Sequence, residues 1–222
     1  PDDVCQGSTI QFHAIDIGRP APFVAPDWAV KYPNDDVFVW RNHNDIRGGY
    51  WWIEIGHPYH QVDDYDQVRH ELLRHVLGVW DHIKNHCRQS ERAVNLQLDW
   101  IGMVPGKRES RRIMGPHILT EREIRARTLF ADRVTHGGWF LDEHVTGGLL
   151  AIDQKPEQSA YEYDIKDLQQ CPVYSIPLSS LHCRDVGNLM LAGRDISASH
   201  MALMSTRVMG TCAAIGQAVG AA

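Results

Sequence analysis

The stretch NLMLAGRDISASHMALMSTRVMGTCAAIGQAVGAA, residues 188–222, constrains the fold more than any other part of the sequence. Leu189–Ala192 reads as a buried strand breaking at Gly193. Arg194–His200 reads as a polar loop, and Thr206–Ala221 as a helix of small residues. Gly210, Ala213, Ala214, Gly216, Ala218 and Gly220 bury little surface, and each helical glycine costs up to about 1 kcal/mol relative to alanine. Such a helix implies that another backbone or a flat ligand comes close. Its N-terminus, with unpaired N–H groups and partial positive charge, suits an anionic or electron-rich ligand. The same spacing also describes a small-residue helix packed on a sheet, and the stretch alone leaves both readings open.

A hydrophobic content of 43% with seven Trp suffices for a packed core, which excludes a wholly disordered chain. The net charge of −6 argues against nucleic acid or an anionic membrane as partner. No run approaches the roughly 18 apolar residues of a membrane span. Cys5, Cys87, Cys171, Cys183 and Cys212 are scattered, odd in number and free of CxxC spacing. A disulfide scaffold or zinc ribbon is therefore not expected, and a reducing, cytoplasmic compartment is mildly favoured. Pro1 in place of Met implies that the natural polypeptide starts further upstream.

Ser8–Asp16 alternates as a strand, and β-prone runs follow at Val37–Trp40 and Tyr50–Ile55 around a Gly48-Gly49 turn. Tyr65, Val68, Leu72, Val76, Val79 and Ile83 recur at helical spacing, predicting a helix from Asp63 to about Cys87. Asp63 and Asp64 would be its capping acids, with a bend or fraying near Gly78. Val94–Ile101 and Arg112–Leu119 read as strands joined by PGKRES. Thr120-Glu121-Arg122-Glu123 is a capping box opening a helix to about Phe130. Trp139–Leu141 and Val173–Ile176 read as strands, and His144–Gln170 as a long loop. Without regular βα alternation this is an α+β body with a terminal strand–loop–helix.

GRDISASHMALMSTRVMGTCAAIGQAVG, together with YWWIEIG (Tyr50–Gly56), GVWDHIKN (Gly78–Asn85), PGKRESRRIMG (Pro105–Gly115) and GGWFLDEH (Gly137–His144), resembles a known family. These motifs, in this order, look like a bacterial subgroup of FAD-dependent oxidoreductases related to the fumarate reductase and succinate dehydrogenase flavoproteins. The resemblance implies FAD as cofactor and a hydride exchanged between flavin N5 and a small organic substrate. It implies a substrate-binding domain over residues 1–187, with about 94–119 bordering the FAD domain. Residues 188–222 would then be the returning strand–loop–helix of that FAD domain. Gly193, Arg194, Asp195, Ile196 and Ser197 would lie along the ribityl and pyrophosphate. Arg207, Gly210, Thr211 and Cys212 would lie by the ring, whose reduced anion the helix dipole favours. No GxGxxG or GxGxxA occurs in the sequence. The resemblance therefore implies a C-terminal portion: a fragment, a proteolysed species, or one subunit of a split enzyme. A nucleotide-binding partner would lie in cis or on another chain, and a homo-oligomer is compatible.

In the basic loop Lys107–Arg112, the resemblance sets ESRRIMG beside the flavin. Arg111 or Arg112 would orient an anionic substrate or the flavin carbonyls. On a strand the two point to opposite sides, and Arg111 is slightly preferred as the catalytic group. A base of near-neutral pKa is needed beside a reacting hydroxyl. His200 in the polar loop and His144 after GGWFLDE are the first choices, and His117 is a further substrate contact. Each histidine is equally readable as a surface or core residue. Trp51 in Tyr50-Trp51-Trp52 offers an aromatic platform or a core strand residue.

Two alternatives of other classes stand beside the flavoenzyme. One is a non-catalytic module binding carbohydrate or protein through the Trp-rich region. The other is a metal-dependent hydrolase using His57, His60 and an Asp. No metal is expected: HxxH before Asp63 and Asp64 is a weak pattern, and nothing acidic completes a site at His82 and His86.

Overall fold

The computed structural model describes residues 5–156 and 173–222. Residues 157–170 of the expected loop lie outside the described residues. The fold is α+β and divides into two compact units, one of residues 5–108 and 145–156, the other of 109–144 and 173–222.

In the first unit, β1 (Ser8–Thr9) lies between β3 (Glu54–Ile55) and β5 (Gly106–Lys107) in an antiparallel sheet. The expected strand from Ser8 to Asp16 is interrupted after Thr9. It resumes as β2 (Phe12–Asp16), antiparallel to β4 (Leu96–Ile101) from Phe12↔Ile101 to Asp16↔Leu96. The main helix, α1 (Tyr65–Asp81), buries Val68, Leu72, Val76 and Val79 completely. Trp80 meets Phe12 edge-on at 5.6 Å. α1 runs unbroken through Gly78, where a Cβ would come within 2.1 Å of the Val30 carbonyl oxygen. Glycine there serves close approach, not a bend. Asp64 occupies the N-cap but makes no cap bond. Its carboxylate instead accepts the His60 N–H at 2.8 Å.

Val37–Trp40 is not a strand. The Asn34 side chain accepts the Asp36 N–H at 3.1 Å and opens a 3-10 turn over Asp35–Phe38, a local capping bond that outweighs β propensity. Of Tyr50–Ile55 only β3 is extended. In the 145–156 part, the buried Arg41 guanidinium donates to the carbonyls of Ile152 (2.6 Å), Gly148 (3.0 Å), Gln154 (3.1 Å) and Ala151 (3.4 Å).

In the second unit, Thr120 and Glu123 form the expected capping box of α2 (Glu121–Arg125), worth about 1 kcal/mol. The helix stops short of Phe130 because Arg127 turns left-handed (φ 53). Its N–H donates to the Ile124 carbonyl and that of Thr128 to the Glu123 carbonyl, a Schellman stop without glycine. The strand pair is β6 (Arg133–Gly137) with β7 (Tyr174–Pro177), rather than Trp139–Leu141.

Residues 112–119 form no strand. They run extended, with Ile113 and Leu119 N–H groups donating to the Asp195 and Ser197 carbonyls and a parallel bridge Leu119↔Ala198. Leu189–Ala192 reduces to a bridge, His182↔Met190. The expected helix over Thr206–Ala221 starts later, as α4 (Met209–Ala221), and an unexpected helix, α3 (His200–Thr206), capped by the Ser199 hydroxyl, precedes it. Between them Val208 is extended (φ −72, ψ 149), where β-branched Thr206 and Val208 favour a break. The core joins Leu119, Ile176, Leu181, Leu191, Ile196 and Ile215.

Candidate active site

Glu109 is the centre of the polar arrangement in the second unit. Its carboxylate is buried, and Oε1 accepts from Arg112 Nη1 and from His200 Nδ1 at 2.9 Å. The extended run after Glu109 carries Arg112, while the Ser199 cap fixes the first residue of α3, His200. His200 is therefore a helical residue and not a loop residue. Because a carboxylate only accepts, Nδ1 holds the ring hydrogen and Nε2 is the proton-exchanging atom. Nε2 faces Glu143 Oε1 at 3.7 Å. The Glu109 hydrogen bond raises the His200 pKa above its ordinary value, against the opposing effect of burial.

The neighbouring Asp142 holds two further groups. Arg207 Nη2 donates to its carbonyl at 2.9 Å and to Oδ2 at 3.0 Å, and His144 Nε2 lies 3.3 Å from Oδ1. Arg207 also borders a cavity of about 830 Å³ lined by Gly138, Trp139, Met209, Gly210 and Thr211. The cavity opens at the start of α4, where Val208 supplies no side-chain cap. First-turn N–H groups of a helix have no partner within it. Met209 is 90% exposed there.

The other expected residues fall as follows. Arg111 is exposed; Arg112 is the arginine that joins His200. His117 Nε2 is 3.2 Å from Glu123, the acid of the capping box. Gly193 turns with φ 116, and Arg194 is exposed. Ile196 is fully buried in the core, and Ser197 is buried with its backbone N–H bonded to the Ser180 carbonyl. Among the described residues, the Oδ1 of Asp195 and Oγ of Ser197 are buried without a hydrogen-bond partner. Burial raises the Cys212 thiol pKa, and its Sγ lies 3.5 Å from the Thr206 carbonyl. Trp51 belongs to the first unit, where its carbonyl accepts from Arg108 at 2.7 Å. His57 is exposed, and the exposed His60 ring pairs with Asp63 at 3.0 Å. Among the described residues neither enters a group of metal-ligating side chains.

Glu109, Asp142 and Glu143 escaped the sequence reading, although ESRR and LDEH flank the residues it chose. An acid three positions before Arg112, and two before His144, was the available signal. Among the described residues, no helix is long and apolar enough to cross a membrane. No curated protein and no solved structure matches the chain. The family model of FAD dependent oxidoreductases matches residues 6–222, and the chain belongs to that family.

Proposed function

We propose that this chain supplies the substrate-binding part and one flavin wall of an oxidoreductase acting on a small alcohol, sugar or organic acid. Its motifs support membership of a bacterial subgroup related to the fumarate reductase and succinate dehydrogenase flavoproteins. The observation that carries the reading is the Arg112–Glu109–His200 relay, in the same unit as the open start of α4.

Two features fit FAD. The α4 start combines uncapped N–H groups with a cavity walled by glycines and Trp139, suited to a planar ring that gains negative charge. Asp195 and Ser197 carry orphaned polar atoms in the stretch assigned to the ribityl chain, and buried polar atoms call for partners. Met209, Gly210, Thr211 and Arg207 would hold the ring side, with Gly193–Ser197 along the ribityl chain. The ADP half would be held by a GxGxxG unit, which residues 1–222 do not contain. When bound, FAD supplies a two-electron hydride acceptor or donor.

The chain's own residues manage the proton. His200 Nε2 takes the hydroxyl proton of an oxidised substrate, or returns it in the reverse direction. Glu109 fixes the ring tautomer and stabilises the imidazolium. Arg112 positions Glu109, and Arg207, held by Asp142, offers a cation at the cavity rim. Residues 1–187 would carry substrate recognition, with Arg111 and His117 in the second unit and Trp51, separately, in the first.

The test is an anaerobic screen of alcohols, sugars and organic acids on the intact protein, read by bleaching of flavin absorbance. A bleaching substrate should lose about a hundredfold in rate with His200→Gln at unchanged FAD content. Equal rates in wild type and variant would remove His200 from proton transfer.

A further inference from the structure

In the first unit, four side chains far apart in sequence converge: Asp35, His43, His82 and Cys87. His82 Nε2 lies 3.1 Å from Asp35 Oδ1 and 3.4 Å from His43 Nε2, and His43 Nε2 lies 3.3 Å from the same oxygen. The four ligand atoms, Cys87 Sγ included, all lie within 4.8 Å of one another.

The placement of hydrogens shows what this cluster needs. His43 Nδ1 is 3.1 Å from the Arg41 carbonyl, and His82 Nδ1 is 3.0 Å from the Tyr32 carbonyl. A carbonyl only accepts, so in each neutral ring Nδ1 carries the hydrogen and Nε2 presents a lone pair. Two imidazole lone pairs and a carboxylate oxygen thus face one another with no hydrogen between them. A cation resolves that conflict. Tetrahedral zinc with ligands at about 2.0–2.1 Å sets them about 3.3–3.4 Å apart, the spacing found here. An Nδ1–H held by a backbone carbonyl is also how metal-bound histidines are oriented.

The remaining contacts aim the other two ligands. Asp35 Oδ2 accepts from the Arg88 N–H and Nε, each at 3.1 Å, which turns Oδ1 toward the histidines. Cys87 Sγ accepts the Gln89 N–H at 3.3 Å. A π-turn over His82–His86 gives the Cys87 N–H a 2.7 Å bond to the His82 carbonyl. It brings residues five apart to one side, a use typical of π-bulges at functional sites.

We propose that Asp35, His43, His82 and Cys87 bind one zinc ion. Two neutral imidazoles, a carboxylate and a thiolate balance a dication, and the mixed N, O and S set suits zinc. Four protein ligands leave no open position, so the ion is structural. It fastens the 3-10 turn, the His43 loop and the end of α1 to one another. The site shares no residue with the flavin reading.

The test is titration of the metal-free intact protein with Co²⁺, then Zn²⁺. The expected result is one Co²⁺ per chain with tetrahedral visible bands and a thiolate-to-cobalt charge-transfer band. Zn²⁺ should displace the cobalt and raise Tm. Cys87→Ser should lose the charge-transfer band, and His43→Gln should bind at least tenfold more weakly. No stoichiometric binding by wild type, or octahedral cobalt without the thiolate band, would overturn the proposal. So would an unchanged spectrum in Cys87→Ser or unchanged affinity in His43→Gln. Those outcomes would make the cluster a proton-sharing group.

Discussion

Glu109→Gln is expected to destabilise the second unit by about 3–5 kcal/mol and to lower the His200 pKa. The carboxylate is buried and has two partners, the Arg112 guanidinium and the His200 imidazole. Neutralising it leaves the partly buried Arg112 without its counter-ion, and breaking an ion pair whose carboxylate is buried costs about that much. His200 then loses what raises its pKa, while burial still pulls it down. The linkage sign follows from the raised value. The contribution is fully present below the unfolded pKa of about 6.5 and is lost as pH rises through the folded value. The wild-type advantage over the variant should therefore shrink with rising pH from near neutrality. Urea unfolding across that range and histidine NMR titration measure both effects. A variant of wild-type stability with an unshifted His200 would contradict the relay.

Arg41→Met is expected to cost the first unit about 4 kcal/mol. Arg41 is 1% exposed and its guanidinium serves four carbonyls around the Leu149–Ala151 turn. A methionine fills much of the volume but donates nothing, and each stranded carbonyl costs about 1–3 kcal/mol, partly relieved by relaxation. For a chain of this size that is a Tm loss of roughly 8–16 °C. Arg41→Lys should recover only part, because an ammonium cannot fork across several carbonyls. A methionine variant melting within about 2 °C of wild type would show that this clamp is not what anchors the 145–156 segment.

These arrangements differ in how legible they are in the sequence. The α1 face is written in its spacing, and the Thr120–Glu123 box in four adjacent residues, because both depend on local geometry. The α2 stop is not, since Arg127 takes the left-handed position usually left to glycine. α3 is also hidden, because the polar residues Arg194–His200 read as a loop and the expected helix starts only at Thr206. The Asp35–Phe38 turn shows why β-prone side chains lose to a capping bond from Asn34. At the candidate site His200, His144, Arg112 and Arg207 could be picked from motifs, while Glu109 and Asp142 are signalled only by their places three and two positions before Arg112 and His144. Glu109 meets His200 across 91 positions, and Asp35 meets His82 across 47. Such pairings are made by the tertiary fold, and one sequence carries no local trace of them.

The central claim, that the start of α4 faces the flavin, is tested most directly by the FAD content of the intact protein carrying Gly210→Glu. Gly210 is exposed in the first turn of α4, and among the described residues nothing lies within 4 Å of its Cβ position. An acid there suits the helix dipole and replaces a glycine, so the fold should gain about 0.5–1 kcal/mol. The same carboxylate would crowd the ring and repel its growing negative charge. The account predicts a protein at least as stable as wild type that has lost most of its FAD. An equally stable variant retaining a full complement of FAD would contradict it.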